Sequence, residues 1–149
     1  MRPNFLLLAV ACAFLGMTSA IWSVGSVNLG YVVIAFIGAI AAHGCVNSIN
    51  EYIDTKSGLD FRTTRTPFSG GSGTLLQDPT KAPIVKWTVI VTSAITLVIG
   101  IFFAIKVGGW ILLIGGVGLF TIFVYTSWFN KIPFLCLISP GFGFGTLML

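Results

Sequence analysis

The sequence predicts an all-α membrane protein, a multi-helix transmembrane bundle. Three observations predict it. Charged residues make up 8% of the chain, against roughly a quarter in ordinary soluble domains. Hydrophobic residues make up 56% of its 149 positions, more apolar surface than a soluble core of that size can bury. The apolar residues also fall in runs of the ~20 residues that a helix needs to cross a bilayer. These runs are apolar on every face, whereas transmembrane barrel strands alternate over ~10 residues.

Five segments qualify or nearly qualify as spans: 4–22, 31–53, 84–105, 107–129 and 132–149. The first, "MRPNFLLLAVACAFLGMTSA", also has the outline of a secretory signal, with small residues at Thr18, Ser19 and Ala20. A retained helix fits better, because the apolar run continues through Ile21 and Trp22 and four further spans follow. The second runs from Tyr31 into a polar end near Ile53. The third begins after the long charged loop, and the fourth and fifth follow short turns near Lys106 and Lys131. The 18 glycines suit helices that pack closely in lipid. Cys12, Cys45 and Cys136 are widely separated in apolar runs and read as small buried hydrophobes, with neither a C-x-x-C pair nor zinc-ligand spacing.

The net charge of +4 does not point to nucleic acid. The basic residues form no stripe and mostly flank apolar runs, as membrane anchors do. Alternate connections divide them unequally. Arg2, Lys56, Arg62, Arg65, Lys81, Lys86 and Lys131 fall on one side, and Lys106 alone on the other. By the positive-inside rule the N-terminus and the 54–83 loop are cytoplasmic.

The charges gather in "NSINEYIDTKSGLDFRTTRTPFSGG", residues 47–71. If the second helix continues past Asn47, then His43, Asn47, Asn50 and Asp54, spaced 4, 3 and 4, share one face. Polar groups at a membrane are costly without partners, so they are functional candidates. Asn50 and Asp54 present oxygen ligands side by side, and Asp60 follows Gly58, where the chain can turn back. Oxygen ligands with few carboxylates suit Mg²⁺ carrying phosphate co-ligands. Lys56, Arg62 and Arg65 nearby fit a Mg²⁺–diphosphate site better than a bare metal site. A solvated polar loop between two helices accounts for the same residues, and spacing alone leaves both readings open. "SGGSG" at 69–73 offers backbone N–H groups but is no Walker A loop. His43 reads as a helix-packing residue. Tyr125 and Thr126, ending the fourth span on the same side, either line the same cavity, with Asn47, or anchor an aromatic belt.

"NEYIDTKSGLD" followed by "RTPFSGGSG" resembles the first aspartate-rich motif of the UbiA superfamily of intramembrane prenyltransferases, nearest the 1,4-dihydroxy-2-naphthoate polyprenyltransferase-like members. There the pattern is Asn-Asp-Tyr-x-Asp and then Gly-x-Asp; here it is Asn50, Glu51, Tyr52, Ile53, Asp54, then Gly58, Leu59, Asp60. Glu51 departs from the pattern, keeping the charge on a longer arm. The resemblance implies a nine-helix fold, of which residues 1–149 would be the N-terminal part with about five helices. It implies Mg²⁺-dependent transfer of a polyprenyl group from a prenyl diphosphate to an aromatic acceptor, as in menaquinone or related quinone biosynthesis, in a prokaryotic cell membrane. Asn50, Asp54 and Asp60 would be the metal-holding, catalytic residues. Lys56, Arg62 and Arg65 would contact the diphosphate. A second acidic motif is expected beyond Leu149, because no acidic residue follows Asp78, and 1–149 alone is expected to be inactive.

Two other classes compete. A small transporter or channel subunit would line an ion path with the 43–54 stripe, and it requires matching stripes on other helices; the first, third and fourth spans show little of this. A structural membrane protein would tolerate substitution of Asn50 and Asp54. The orientation is open to a direct check. Above the background of the native thiols, Ser72→Cys should resist a membrane-impermeant thiol reagent in intact cells and react after lysis; labelling from outside would reverse the topology.

Overall fold

A computed structural model of the chain describes residues 3–58, 73–128 and 132–142. Its elements are α1 (Pro3–Val24), α2 (Leu29–Ser57), the single turn α3 (Thr74–Gln77), α4 (Ala82–Val107), α5 (Trp110–Ser127) and α6 (Pro133–Phe142). Among the described residues there is no strand, so the all-helical expectation holds for them. Three helices are long and apolar enough to cross a membrane, over Leu6–Val24, Leu29–Ser57 and Pro79–Val107. Residues 107–129 and 132–149 correspond to α5, with 18 residues, and α6, with 10. Residues 143–149 lie outside the described ones.

Local chemistry sets the helix ends. Asn28 precedes α2 in an extended conformation, and its side-chain oxygen accepts the Tyr31 N–H at 3.2 Å, satisfying one of the donors that a helix start leaves open. The other end of α2 stops at Gly58, whose φ of 76° is the left-handed conformation that glycine adopts without a β-carbon penalty. Between these caps α2 has 29 residues, about 43 Å at 1.5 Å per residue. That exceeds a ~30 Å hydrocarbon core by about two turns; counted from Leu29, the excess carries Asn50, Glu51, Asp54 and Lys56, while His43 and Asn47 come before it. The segment Asp78-Pro79-Thr80-Lys81 starts α4 through a short 3₁₀ turn, with Pro79 at its first position, where the missing N–H costs nothing.

α2 is the centre of the bundle. Of the described buried residues it supplies Ala41, His43, Gly44, Cys45, Ser48, Ile49 and Glu51, whereas α4 supplies none. α1 meets it through an edge-to-face pair, Phe14 with Phe36, centroids 4.8 Å apart. α4 lies antiparallel to it, and the contacts run in opposite order along the two helices. Tyr31 faces Phe102 and Phe103 at 6.0 Å between ring centroids. A β-carbon placed on Gly38 would lie 3.1 Å from Ile99 Cγ2. Cys45 Sγ is 2.9 Å from Ser93 Oγ, and Lys86 Nζ sits 5.3 Å from the Tyr52 ring centroid. On α2 these four positions recur every seventh residue, the period of a helix seam that keeps facing one partner. Cys45 is fully buried, as expected of a small hydrophobe, while Cys12 is half-buried.

The outward side chains are apolar: Trp22, Trp110, Ile105 and Leu137 are among those largely exposed. The threonines of α4 turn their hydroxyls to their own backbone, whereas Ser93 meets Cys45 of α2. Thr88 donates to Ile84 O at 2.9 Å, Thr92 to Thr88 O at 2.7 Å and Thr96 to Thr92 O at 2.8 Å. In lipid, where no water can satisfy a hydroxyl, this return bond is the local solution. Apolar exteriors around a small core are the arrangement of a protein that associates with a lipid bilayer.

Candidate polar site at the end of helix α2

The last turns of α2 carry the polar residues that the sequence singles out. His43 is buried; Asn47, Asn50 and Asp54 are half-buried; Lys56 is exposed in the final turn. The helix does run past Asn47, so the expected common face exists on one continuous element. The enclosed side of the helix is displaced from that stripe, toward Ser48 and Glu51, each 4% exposed. A cleft of ≈ 150 Å³ opens there, walled by Asn47, Ser48 and Glu51 of α2, by Thr74, and by Lys81 and Thr88 of the opposing α4 end. Asn47 Nδ2 is buried and has no hydrogen-bond partner among the described residues. A cleft of that size holds several water molecules, each taking ~30 Å³.

Asn47, expected as a cavity-lining residue, lines this cleft, whereas Asn50, Asp54 and Lys56, expected at a Mg²⁺–diphosphate site, do not. Asn50 and Asp54 stand one turn apart on α2. Asp60, Arg62 and Arg65 lie outside the described residues, as do the side chains of Tyr125 and Thr126, whose backbone forms the last turn of α5. Among the described residues no three His, Cys, Asp or Glu side chains gather as a metal site. The donors present, an amide oxygen and a carboxylate one turn apart, fit Mg²⁺ that takes its other ligands from phosphate and water.

Three residues of this region are not among the site residues expected from the sequence, although Glu51 stands inside the motif. Glu51 is four residues beyond Asn47, so it flanks the stripe; Leu75 N–H donates to its Oε1 at 3.0 Å. Lys81 lines the cleft and pairs with Asp78 at 3.4 Å, with both side chains substantially exposed, so the pair adds little to stability. Asp78 accepts from the Thr80 backbone N–H at 3.1 Å and from the Thr80 hydroxyl. A signal for it does exist in the sequence, since Asp followed by Pro marks a helix start.

The Thr80 hydroxyl bond, aided by the adjacent Lys81, holds the Asp78 carboxyl below the usual carboxylate range. A depressed carboxyl contributes stability above its unfolded value and loses it as pH falls through the lower folded value. The α4 start should therefore be firm at neutral pH and loosen below about pH 4. Amide exchange at Thr80 should show that acid limb in the native protein. Asp78→Asn, which still caps through its amide oxygen, should flatten it, and Asp78→Ala should speed exchange at every pH. An acid limb that persists in Asp78→Asn would assign it to another group.

Compared with protein-family models, with curated proteins and with solved structures, the chain matches nothing in any of the three.

Proposed function

We propose that the chain forms the diphosphate-gripping end of a Mg²⁺-dependent intramembrane prenyltransferase. The reaction would move a polyprenyl group from a prenyl diphosphate to an electron-rich aromatic acceptor, as in menaquinone or related quinone biosynthesis. The observation that carries the reading is the pairing of Asn50 and Asp54 one turn apart on α2, at the end that outruns a bilayer. The residues stand in the order Asn50, Glu51, Tyr52, Ile53, Asp54, then Gly58, Leu59, Asp60, the order on which the family resemblance rests. The protein is read as multi-pass in a prokaryotic cell membrane, with its N-terminus and the 54–83 loop in the cytoplasm, where a soluble diphosphate head is available.

Asn50, Asp54 and Asp60 would hold Mg²⁺, whose charge offsets that of the departing diphosphate. Lys56 would add a point charge to the diphosphate oxygens, and Arg62 and Arg65 would fork them. Asn47, Tyr125 and Thr126 would face the reacting cavity. The apolar helices exclude water, which would otherwise quench an allylic cation before the aromatic ring attacks it. Aromatic faces can shield that cation. The Thr88, Thr92 and Thr96 hydroxyls are spent on carbonyls of their own helix, which favours a closed wall over an ion path.

The test uses the full-length gene product in membranes, a labelled prenyl diphosphate and aromatic acceptors such as dihydroxynaphthoate. Asp54→Ala and Asp54→Asn should each lower transfer by about a hundredfold or more, without loss of folded protein. Lys56→Ala should chiefly raise KM for the diphosphate. Near-normal turnover in both Asp54 variants would remove Asp54 from the site.

A further inference from the structure

We propose that Glu51 is a positioning residue, a carboxylate clasp that seats the returning chain at Gly73–Gln77 against the end of α2, and not a metal or phosphate ligand. Three observations carry this. Glu51 is the most enclosed of the described acids, 4% exposed, while Asp54 and Asp78 are only half-buried. Its Oε1 accepts the Leu75 N–H at 3.0 Å, across 24 residues of sequence. Leu75 is itself 3% exposed and belongs to the single turn α3, whose neighbour Thr74 forms a wall of the cleft together with Glu51.

The physical case starts from cost. A carboxylate removed from water is unfavourable unless donors replace the lost hydration. A backbone N–H is such a donor, and a charged acceptor makes the bond stronger than a neutral one. The Leu75 N–H needs the bond as well, because it falls in the first turn of α3, where no helical carbonyl can accept it. α3 has four residues, too few to be stable alone, so its position depends on what it docks against. Leu75 supplies the apolar half of that docking and Glu51 the polar half.

Arm length matters to this geometry. A glutamate reaches one methylene farther than an aspartate from the same α2 backbone, and the 3.0 Å bond uses that reach. A ligand role and a clasp role therefore respond in opposite ways to two conservative changes. A ligand needs charge, so Glu51→Asp would largely preserve it and Glu51→Gln would abolish it. A clasp needs an oxygen at the right distance, so Glu51→Gln largely preserves it and Glu51→Asp loses it.

The experiment is hydrogen exchange at the Leu75 amide in the purified protein, alongside prenyl transfer by the full-length gene product. Only the transfer arm rests on the proposed function; the exchange arm is read without substrate. Leu75 exchange should quicken least in Glu51→Gln, whose neutral oxygen keeps a weaker bond, and about fivefold or more in Glu51→Asp and Glu51→Ala, as for the loss of one hydrogen bond. Amides at the Asn28 cap should be unchanged in all three, which separates local release from general unfolding. Transfer should follow the same order, with Glu51→Gln the most active of the three. Unchanged Leu75 protection in Glu51→Ala would overturn the clasp, as would Asp preserving both readouts while Gln loses them. Exchange in the expected order with no transfer by the native protein would leave the clasp standing and reject the prenyltransferase reading.

Discussion

The antiparallel packing of α2 on α4 is the constraint on which the rest of the structure depends. In lipid, helices gain little hydrophobic energy from meeting, since the tails around them are equally apolar. Close approach and a few polar contacts must hold them instead. The seam supplies both. Gly38 lets Ile99 come within 3.1 Å of where a β-carbon would stand, and Cys45 and Ser93 satisfy each other at 2.9 Å. Toward the polar end, Lys86 covers the Tyr52 ring at 5.3 Å, in the region where a lysine can keep its ammonium near water.

That pairing determines where the polar residues go. α2 is long enough to leave the bilayer while still helical, and α4 begins beside its last turns, through Pro79–Lys81. The cleft of ≈ 150 Å³ between them exists because the two ends meet at that level. Its walls combine Asn47, whose buried Nδ2 has no hydrogen-bond partner among the described residues, with groups that are bonded: Glu51, which accepts the Leu75 N–H, and Ser48, which donates to Gly44 O at 2.8 Å. The structure thus concentrates its polar side chains at one end of one helix pair, while Thr18 of α1 and Thr88, Thr92 and Thr96 of α4 return their hydroxyls to their own helix.

Much of this was legible in the sequence. Apolar runs place α1, α2 and α4 to within a few residues, because bilayer thickness imposes a length that no local propensity can disguise. The common face of Asn47, Asn50 and Asp54 follows from helical spacing once α2 is taken past Asn47. The ends were less accessible: Asn28 and Asp78 act through caps outside the apolar runs. The burial of Glu51 could not be read from α2 at all, since its partner Leu75 returns only after a long connection. Nor was the seam apparent, because Gly38 and Cys45 look like any small residues until Ile99 and Ser93 are set opposite them. For Asp60, Arg62 and Arg65 the sequence reading stands by itself, since they lie outside the described residues.

The register of α2 against α4 is open to one direct measurement. Cys45 Sγ and Ser93 Oγ are 2.9 Å apart, so a thiol introduced by Ser93→Cys lies within a small adjustment of disulfide distance. Mild oxidation of that variant in membranes should yield an intramolecular disulfide to Cys45, seen as a mass loss of two hydrogens in the peptide pair. Val89→Cys and Leu97→Cys, about one turn to either side, should react far less. Equal or better bridging at either of those positions, or none at Ser93→Cys, would contradict the pairing on which the cleft and its clasp are built.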